Sequence, residues 1–211
     1  MAARPLRIAI LVIVAFAAGL ILARLLTPGR IVPPETERAT VLPEPRPLPP
    51  VDLVDQDGRA LPADFFASHW TLVFFGFTQC PDICPTTLAT LAQANKQFAD
   101  LPAESRPRML LVSVDPERDP PSILAPYVRF FDPAFLAATG SLEATAAAAA
   151  AFNVPYAKVA QDGGGYTLDH GSGIFVVGPT GGIVAYLSAP HDAARIAGNV
   201  RSIVAWSESQ R

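Results

Sequence analysis

The chain has 211 residues, 50% of them hydrophobic, with 16 Lys and Arg against 19 Asp and Glu. That length holds one domain of ordinary size plus appendages, and not two full domains. A net charge of −3 without any block of Lys or Arg excludes a nucleic-acid surface, which needs a basic footprint.

At the N-terminus, Arg4 and Arg7 precede an uncharged run from Ile8 to Ala23, followed by Arg24, Leu25 and Leu26. At about 1.5 Å per residue the run covers roughly 24 Å. Leu25, Leu26 and a snorkelling Arg24 extend it toward the ~30 Å hydrocarbon core. Residues 1–26 are therefore expected to form an N-terminal transmembrane anchor. Ala15-Phe16-Ala17 offers a small-x-small site for a cleaved signal peptide instead, but the apolar run continues well past it. Arg4, Arg7 and the amine in front, against Arg24 and Arg30 behind, give a thin positive-inside bias. It puts the body of the protein on the non-cytoplasmic, periplasmic side, where a thiol pair oxidises unless a reductant or a metal engages it.

Residues 27–50 hold eight prolines and almost no apolar periodicity, so they read as a linker. In extended polyproline II, at about 3.1 Å per residue, they reach up to ~70 Å. The globular domain is expected over 51–211.

Within that domain, 51–59 reads as a short strand and an Asp-Gly turn leading to a hairpin partner. The continuous apolar and aromatic run 70–77 has the signature of a strand buried on both faces. A helix is expected over 85–99, with Leu88, Leu91, Ala92 and Phe98 at near-helical spacing. A second buried strand covers 109–114 and ends at Asp115-Pro116. Helices follow over 122–131 and 141–152, the latter capped by Ser141 ahead of a run of alanines. Residues 156–159 and 166–168 flank Gly163-Gly164-Gly165 as a hairpin. Residues 174–177 and 183–187 make another hairpin, and 192–206 is a closing helix. This order predicts an α/β sandwich with a parallel and an antiparallel half, the thioredoxin-like arrangement.

Cys80 and Cys84, the only cysteines, fall between the first central strand and the following helix. Two thiols there form a redox-active disulfide, hold a soft metal, or alternate between the two. A helix N-terminus stabilises a thiolate, which serves both chemistries. Three residues separate the thiols, against two in most redox motifs of this fold. An i, i+4 pair lies about 5–6 Å apart at Cβ, longer than the ~3.8 Å usual across a disulfide, whereas a metal about 2.3 Å from each sulfur fits between them.

Two thiolates need a third ligand. His170 precedes the strand expected over 174–177, in a loop that faces the thiol-bearing helix end in a thioredoxin-like sheet, and Asp169 beside it is placed to orient the ring. His69 lies at the opposite end of the central strand and His191 ahead of the closing helix, so both read as structural. A Cys2His set suits Cu(I), and Cu(II) with an added oxygen ligand; closed structural zinc wants a fourth protein ligand.

Phe75-Gly76-Phe77-Thr78-Gln79-Cys80-Pro81-Asp82-Ile83-Cys84-Pro85, Val112-Ser113-Val114-Asp115-Pro116-Glu117-Arg118-Asp119 and Asp169-His170 resemble the three signatures of the Sco/SenC copper chaperones. An N-terminal anchor is also typical of that family. The resemblance implies a thioredoxin fold that binds Cu(I) or Cu(II) through Cys80, Cys84 and His170, with Asp82 and Asp115 as site-adjacent carboxylates. It also implies an upstream copper donor and a role in assembling the CuA centre in subunit II of cytochrome c oxidase, as a carrier and not a turnover enzyme. After His170 the family usually continues with Ser and a bulky apolar strand. Here Gly171-Ser172-Gly173 intervenes, and the two glycines are expected to loosen the backbone. The competing function is a thiol-disulfide oxidoreductase that keeps client cysteines reduced; it uses Cys80 and Cys84 without His170. A peroxidase of related fold is set aside, since no Arg or Trp signature accompanies a single peroxidatic cysteine.

Overall fold

In a computed structural model the described residues are 12–20, 22 and 33–210. The chain divides into two units, Met1–Val32 and Pro33–Arg211. In the first, residues 12–20 and 22 are helical. The rest of the anchor expected over 1–26, its orientation and residues 27–32 lie outside the described residues. Among the described residues no helix is long and apolar enough to cross a membrane.

The second unit runs β1 (Ala39–Pro47), β2 (Val54–Asp55), β3 (Thr71–Gly76), α1 (Ile83–Gln97), β4 (Arg108–Ser113), α2 (Pro121–Phe131), β5 (Leu136–Thr139), α3 (Leu142–Ala151), β6 (Tyr156–Ala160), β7 (Tyr166–His170), β8 (Ile174–Val177), β9 (Gly182–Leu187) and α4 (Ala193–Ser209). Seven strands form one sheet in the order β1-β9-β8-β3-β4-β5-β2, and β6 pairs β7 in a separate ribbon. Strands β3, β4 and β5 are parallel neighbours, while β8 runs antiparallel to β3. Parallel neighbours need crossovers, which α1 and α2 supply. The fold is thus the expected mixed α/β arrangement.

Every residue of β3 is buried, as its unbroken apolar run requires. Successive side chains take opposite faces. Phe75 packs on Phe152, just past α3, and on Phe175 of β8, at centroid distances of 5.2 and 6.2 Å. Phe74 and Gly76 face the side on which α1 delivers Cys84. Ser141 caps α3 by accepting from the Ala144 amide, and Asp192 caps α4 by accepting from that of Arg195, the N-cap bonding these residue types favour.

Two elements depart from the sequence reading. The proline-rich stretch read as linker contributes β1, which pairs antiparallel with β9, so the sheet begins well before residue 51. The physical reason is its edge position, where missing amide donors are tolerated. Register jumps from Val41↔Ala185 to Arg46↔Ile183, which puts Pro43 and Pro45 in an outward bulge. Arg46 then donates to the carbonyl of Ala151 at 2.9 Å, satisfying the C-terminal end of α3. The second departure is β5: Leu-Ala-Ala-Thr carries little strand propensity, and its pairing with β4 makes it a strand.

Candidate metal centre

Helix α1 starts at Ile83, two residues earlier than expected, so Cys84 sits in its first turn and Cys80 in the turn before it. The Cys80 amide donates to the Phe77 carbonyl at 3.3 Å, and the Cys84 amide donates to Cys80 Sγ at 3.4 Å. An otherwise orphaned helix-start N–H thus holds the first sulfur. Both thiols are free and buried.

His170 comes from the other side of the site, as the last residue of β7. Its Nδ1 lies 3.0 Å from the Gly171 carbonyl and its Nε2 lies 3.4 Å from Cys84 Sγ. A carbonyl only accepts, so Nδ1 carries the hydrogen and Nε2 keeps its lone pair toward the sulfurs. The rings of Phe74 and Phe77 stand edge-on to the imidazole at 6.1 and 5.7 Å. One donor atom from each of Cys80, Cys84 and His170 lies within 4.8 Å of the others. A cleft of about 220 Å³ opens onto Cys80 and His170, bordered by Ile83, Leu168, Asp82 and Asp169, while Cys84 lies behind them, fully buried.

Burial pushes the Cys84 thiol far above the ordinary thiol range and outweighs the lowering hydrogen bond at Phe77; Cys80 beside it pushes the same way. This reverses the expected thiolate stabilisation for Cys84, because desolvation of the anion exceeds what a helix start supplies. A soft cation replaces the proton and removes that penalty. Burial also lowers the His170 pKa, against the Gly171 carbonyl and the Asp169 charge, which favours the neutral, ligating imidazole.

The donor set therefore fits a soft ion. Among the described residues no fourth His, Cys, Asp or Glu joins the group, so a closed four-ligand zinc site is not built. Two sulfurs and one imidazole are a comfortable three-coordinate set for Cu(I).

The three carboxylates expected beside the site behave differently. Asp82 sits at the α1 N-cap without a capping bond to the backbone, and accepts only from the Thr86 hydroxyl at 3.4 Å. Asp169 is exposed and does not orient the ring; the Gly171 carbonyl does. The pleat of β7 sends residues 169 and 170 to opposite sides. Asp115 is buried and accepts from Tyr166 Oη at 2.8 Å and from Arg118 Nε at 2.5 Å.

Two further residues organise the site. Asp119 is fully buried and accepts from the Thr78 amide, the Thr78 hydroxyl and the Ser113 hydroxyl at 3.0, 2.5 and 2.7 Å. It ties the loop before Cys80 to the end of β4, and burial raises its pKa against these bonds. Only its presence in the Asp-Pro-Glu-Arg-Asp run pointed to it. Arg118 donates from Nη1 to Gln79 Oε1 at 3.1 Å and to the Tyr166 carbonyl at 2.9 Å, with its guanidinium 3.8 Å over the Tyr166 ring. The β6–β7 hairpin is thereby clamped onto the thiol loop.

The two glycines after His170 differ in their surroundings. Neither Gly171 nor Gly173 has a positive φ, and a Cβ at 173 would stand 2.0 Å from the Tyr186 ring; Gly173 answers a packing demand. His69 is exposed, and its Nδ1 lies 3.0 Å from the Ala67 carbonyl. His191 contacts the Ser172 carbonyl at 2.6 Å and does not join the donor set.

The family described as SCO1/SenC matches residues 43–205. A mitochondrial SCO2 homolog of Bos taurus is 37% identical over 150 residues, covering 71% of this chain and 56% of its own length. The chain thus spans just over half of that relative. Arabidopsis thaliana ScoI with copper bound superposes with a TM-score of 0.69 at 31% identity, covering 74% of this chain and 97% of that one. Bradyrhizobium japonicum ScoI with copper bound gives 0.67 at 29%, covering 74% and 99%.

Proposed function

Because the chain belongs to the SCO1/SenC family, we propose that it is a copper-binding assembly factor for cytochrome c oxidase, with copper as its cargo. The observation that carries this reading is the convergence of Cys80, Cys84 and His170 donor atoms within 4.8 Å. The soft donor set and the copper-bound relatives of 31% and 29% identity support it. Cys80 and Cys84 supply the thiolates, and His170 supplies Nε2. The client is the CuA centre of subunit II, and an upstream donor loads the site. Residues 1–26 tether the domain to the membrane on its periplasmic side. The protein acts as a carrier and not as a turnover enzyme.

Cu(I) titration of the reduced full chain tests the reading, with His170→Ala and Cys84→Ser beside it. Wild type is expected to hold one Cu(I), and each variant to lose it to a chelator that wild type resists. Unchanged retention in His170→Ala would remove the imidazole from the site. It would favour the thiol-disulfide oxidoreductase function, which needs only the cysteines.

A further inference from the structure

The orientation of His170 depends on the Gly171 carbonyl, which takes the Nδ1 hydrogen. The question is what holds residues 171–173, which lie between β7 and β8 and belong to neither. Three contacts do so. The Gly171 amide donates to the Pro155 carbonyl at 3.3 Å. The Tyr186 ring covers Gly173 so closely that a Cβ there would stand 2.0 Å from it. His191 Nε2 meets the Ser172 carbonyl at 2.6 Å, and since that oxygen only accepts, Nε2 carries the hydrogen and donates.

Of the three, only the bond from His191 is made by a side-chain hydrogen-bond donor, and hydrogen bonds hold the residues that flank it. Asp192 caps α4 by accepting from the Arg195 amide at 2.9 Å, and Arg195 Nη2 returns to the Pro190 carbonyl at 2.9 Å. The residues on either side of His191 are thus fixed to the start of α4. His191 itself is half-buried, so the bond is partly shielded from competing water.

We propose that His191 is a positioning residue for the copper site: through Ser172 it fixes the loop whose Gly171 carbonyl sets the tautomer and angle of His170. The chain of contacts is His191 Nε2–H to Ser172 O, then along the backbone to Gly171 O, then to His170 Nδ1–H, with His170 Nε2 facing Cys84 Sγ. It replaces Asp169 as the support of the ligand ring. A histidine distant in sequence and outside the donor set thereby acts on copper without touching it. This inference rests on the copper-binding reading above and assigns a role inside it.

The test compares His191→Ala and His191→Gln with wild type and His170→Ala, in the full chain purified copper-free. Groups bonded directly to a metal ligand typically contribute 10–100-fold to affinity, and His191 acts one residue further out. His191→Ala is therefore expected to lower Cu(I) affinity by up to about tenfold, by chelator competition. It is also expected to alter the nitrogen hyperfine coupling of the Cu(II)-loaded protein, since the ring angle changes. Glutamine carries an amide donor, so His191→Gln is expected to recover most of both readouts. Wild-type affinity and coupling in His191→Ala would overturn the proposal. So would equal losses in both variants accompanied by equal falls in the melting temperature of the copper-free protein, which would mark a packing role. If His170→Ala itself retains copper, the underlying copper site fails, a result distinct from failure of the His191 role alone.

Discussion

The Cβ position of Gly76 stands 2.9 Å from Cys84 Sγ. The last residue of β3 therefore has no room for a side chain without displacing the Cys84 sulfur, and Phe74 and Leu111 at 3.0 and 3.3 Å close the other directions. The strand carries glycine at the point where α1 brings a sulfur onto the sheet.

Gly76→Ala is accordingly expected to displace Cys84 Sγ. Overpacking of this kind costs about 1–3 kcal/mol, measurable as a lowered urea midpoint of the copper-free protein. Chelator competition is expected to show weakened Cu(I) binding as well. A variant that loses stability but keeps wild-type copper affinity would show that Phe74 or Leu111 yields and Cys84 stays in place.

Copper uptake is expected to release protons, and affinity to rise with pH through the neutral range. The sign follows from Cys84: burial holds its thiol protonated in the copper-free state, and Cu(I) takes the thiolate. Each unit of pH therefore favours binding by about a factor of ten for that one proton, or about 1.4 kcal/mol. His170 adds no slope near neutrality, since burial lowers its pKa and it already presents a neutral ring. Calorimetry in buffers of different ionisation enthalpy counts the protons; a pH-independent affinity would mean that Cys84 is already ionised before copper arrives.

Asp119→Ala is expected to destabilise the fold by about 1–3 kcal/mol, because it strands the part-buried amide and hydroxyl of Thr78 and the buried hydroxyl of Ser113. The loop ahead of Cys80 loses its tie to β4. Hydrogen exchange at Thr78 provides the local readout, and unchanged protection there would show that Asp119 does not anchor the loop.

Arg118→Lys is expected to behave like a loss of function at this position. A lysine cannot reproduce the planar fork that reaches Asp115, Gln79 and the Tyr166 carbonyl while stacking on the Tyr166 ring. Asp115 is fully buried at its side chain, but the Arg118 side chain is 22% exposed. That exposure reduces the penalty for breaking the pair to about 2 kcal/mol. Faster amide exchange along β7 and weaker copper binding are the expected outcomes; β7 protection equal to wild type would show that the clamp is dispensable.

The parts of the fold legible in the sequence are those set by local patterns. The buried run of β3, the Ser141 and Asp192 caps and the glycine-tipped β6–β7 hairpin all announce themselves within a dozen residues. Strands β1 and β5 do not. The first is rich in proline and the second in alanine, and only a distant partner strand makes either a strand, through bonds to β9 and β4. The same division runs through the site. Both cysteines and His170 are readable from spacing, element order and motif, whereas Asp119 reaches Thr78 from 41 residues away and is placed only by the packing of β4 beside the thiol loop.

The amino-acid sequence by itself determined that two thiols meet the start of a helix after a buried strand, because helix start, strand burial and thiol spacing are all local properties. Only the tertiary structure decided which groups surround them. It brought the β7 hairpin over α1, turned the pleat so that Gly171 and not Asp169 takes the His170 hydrogen, and buried Cys84 deeply enough that desolvation overrides the helix start. Those outcomes depend on the dielectric surroundings and on contacts between residues widely separated in the chain, which no local pattern encodes.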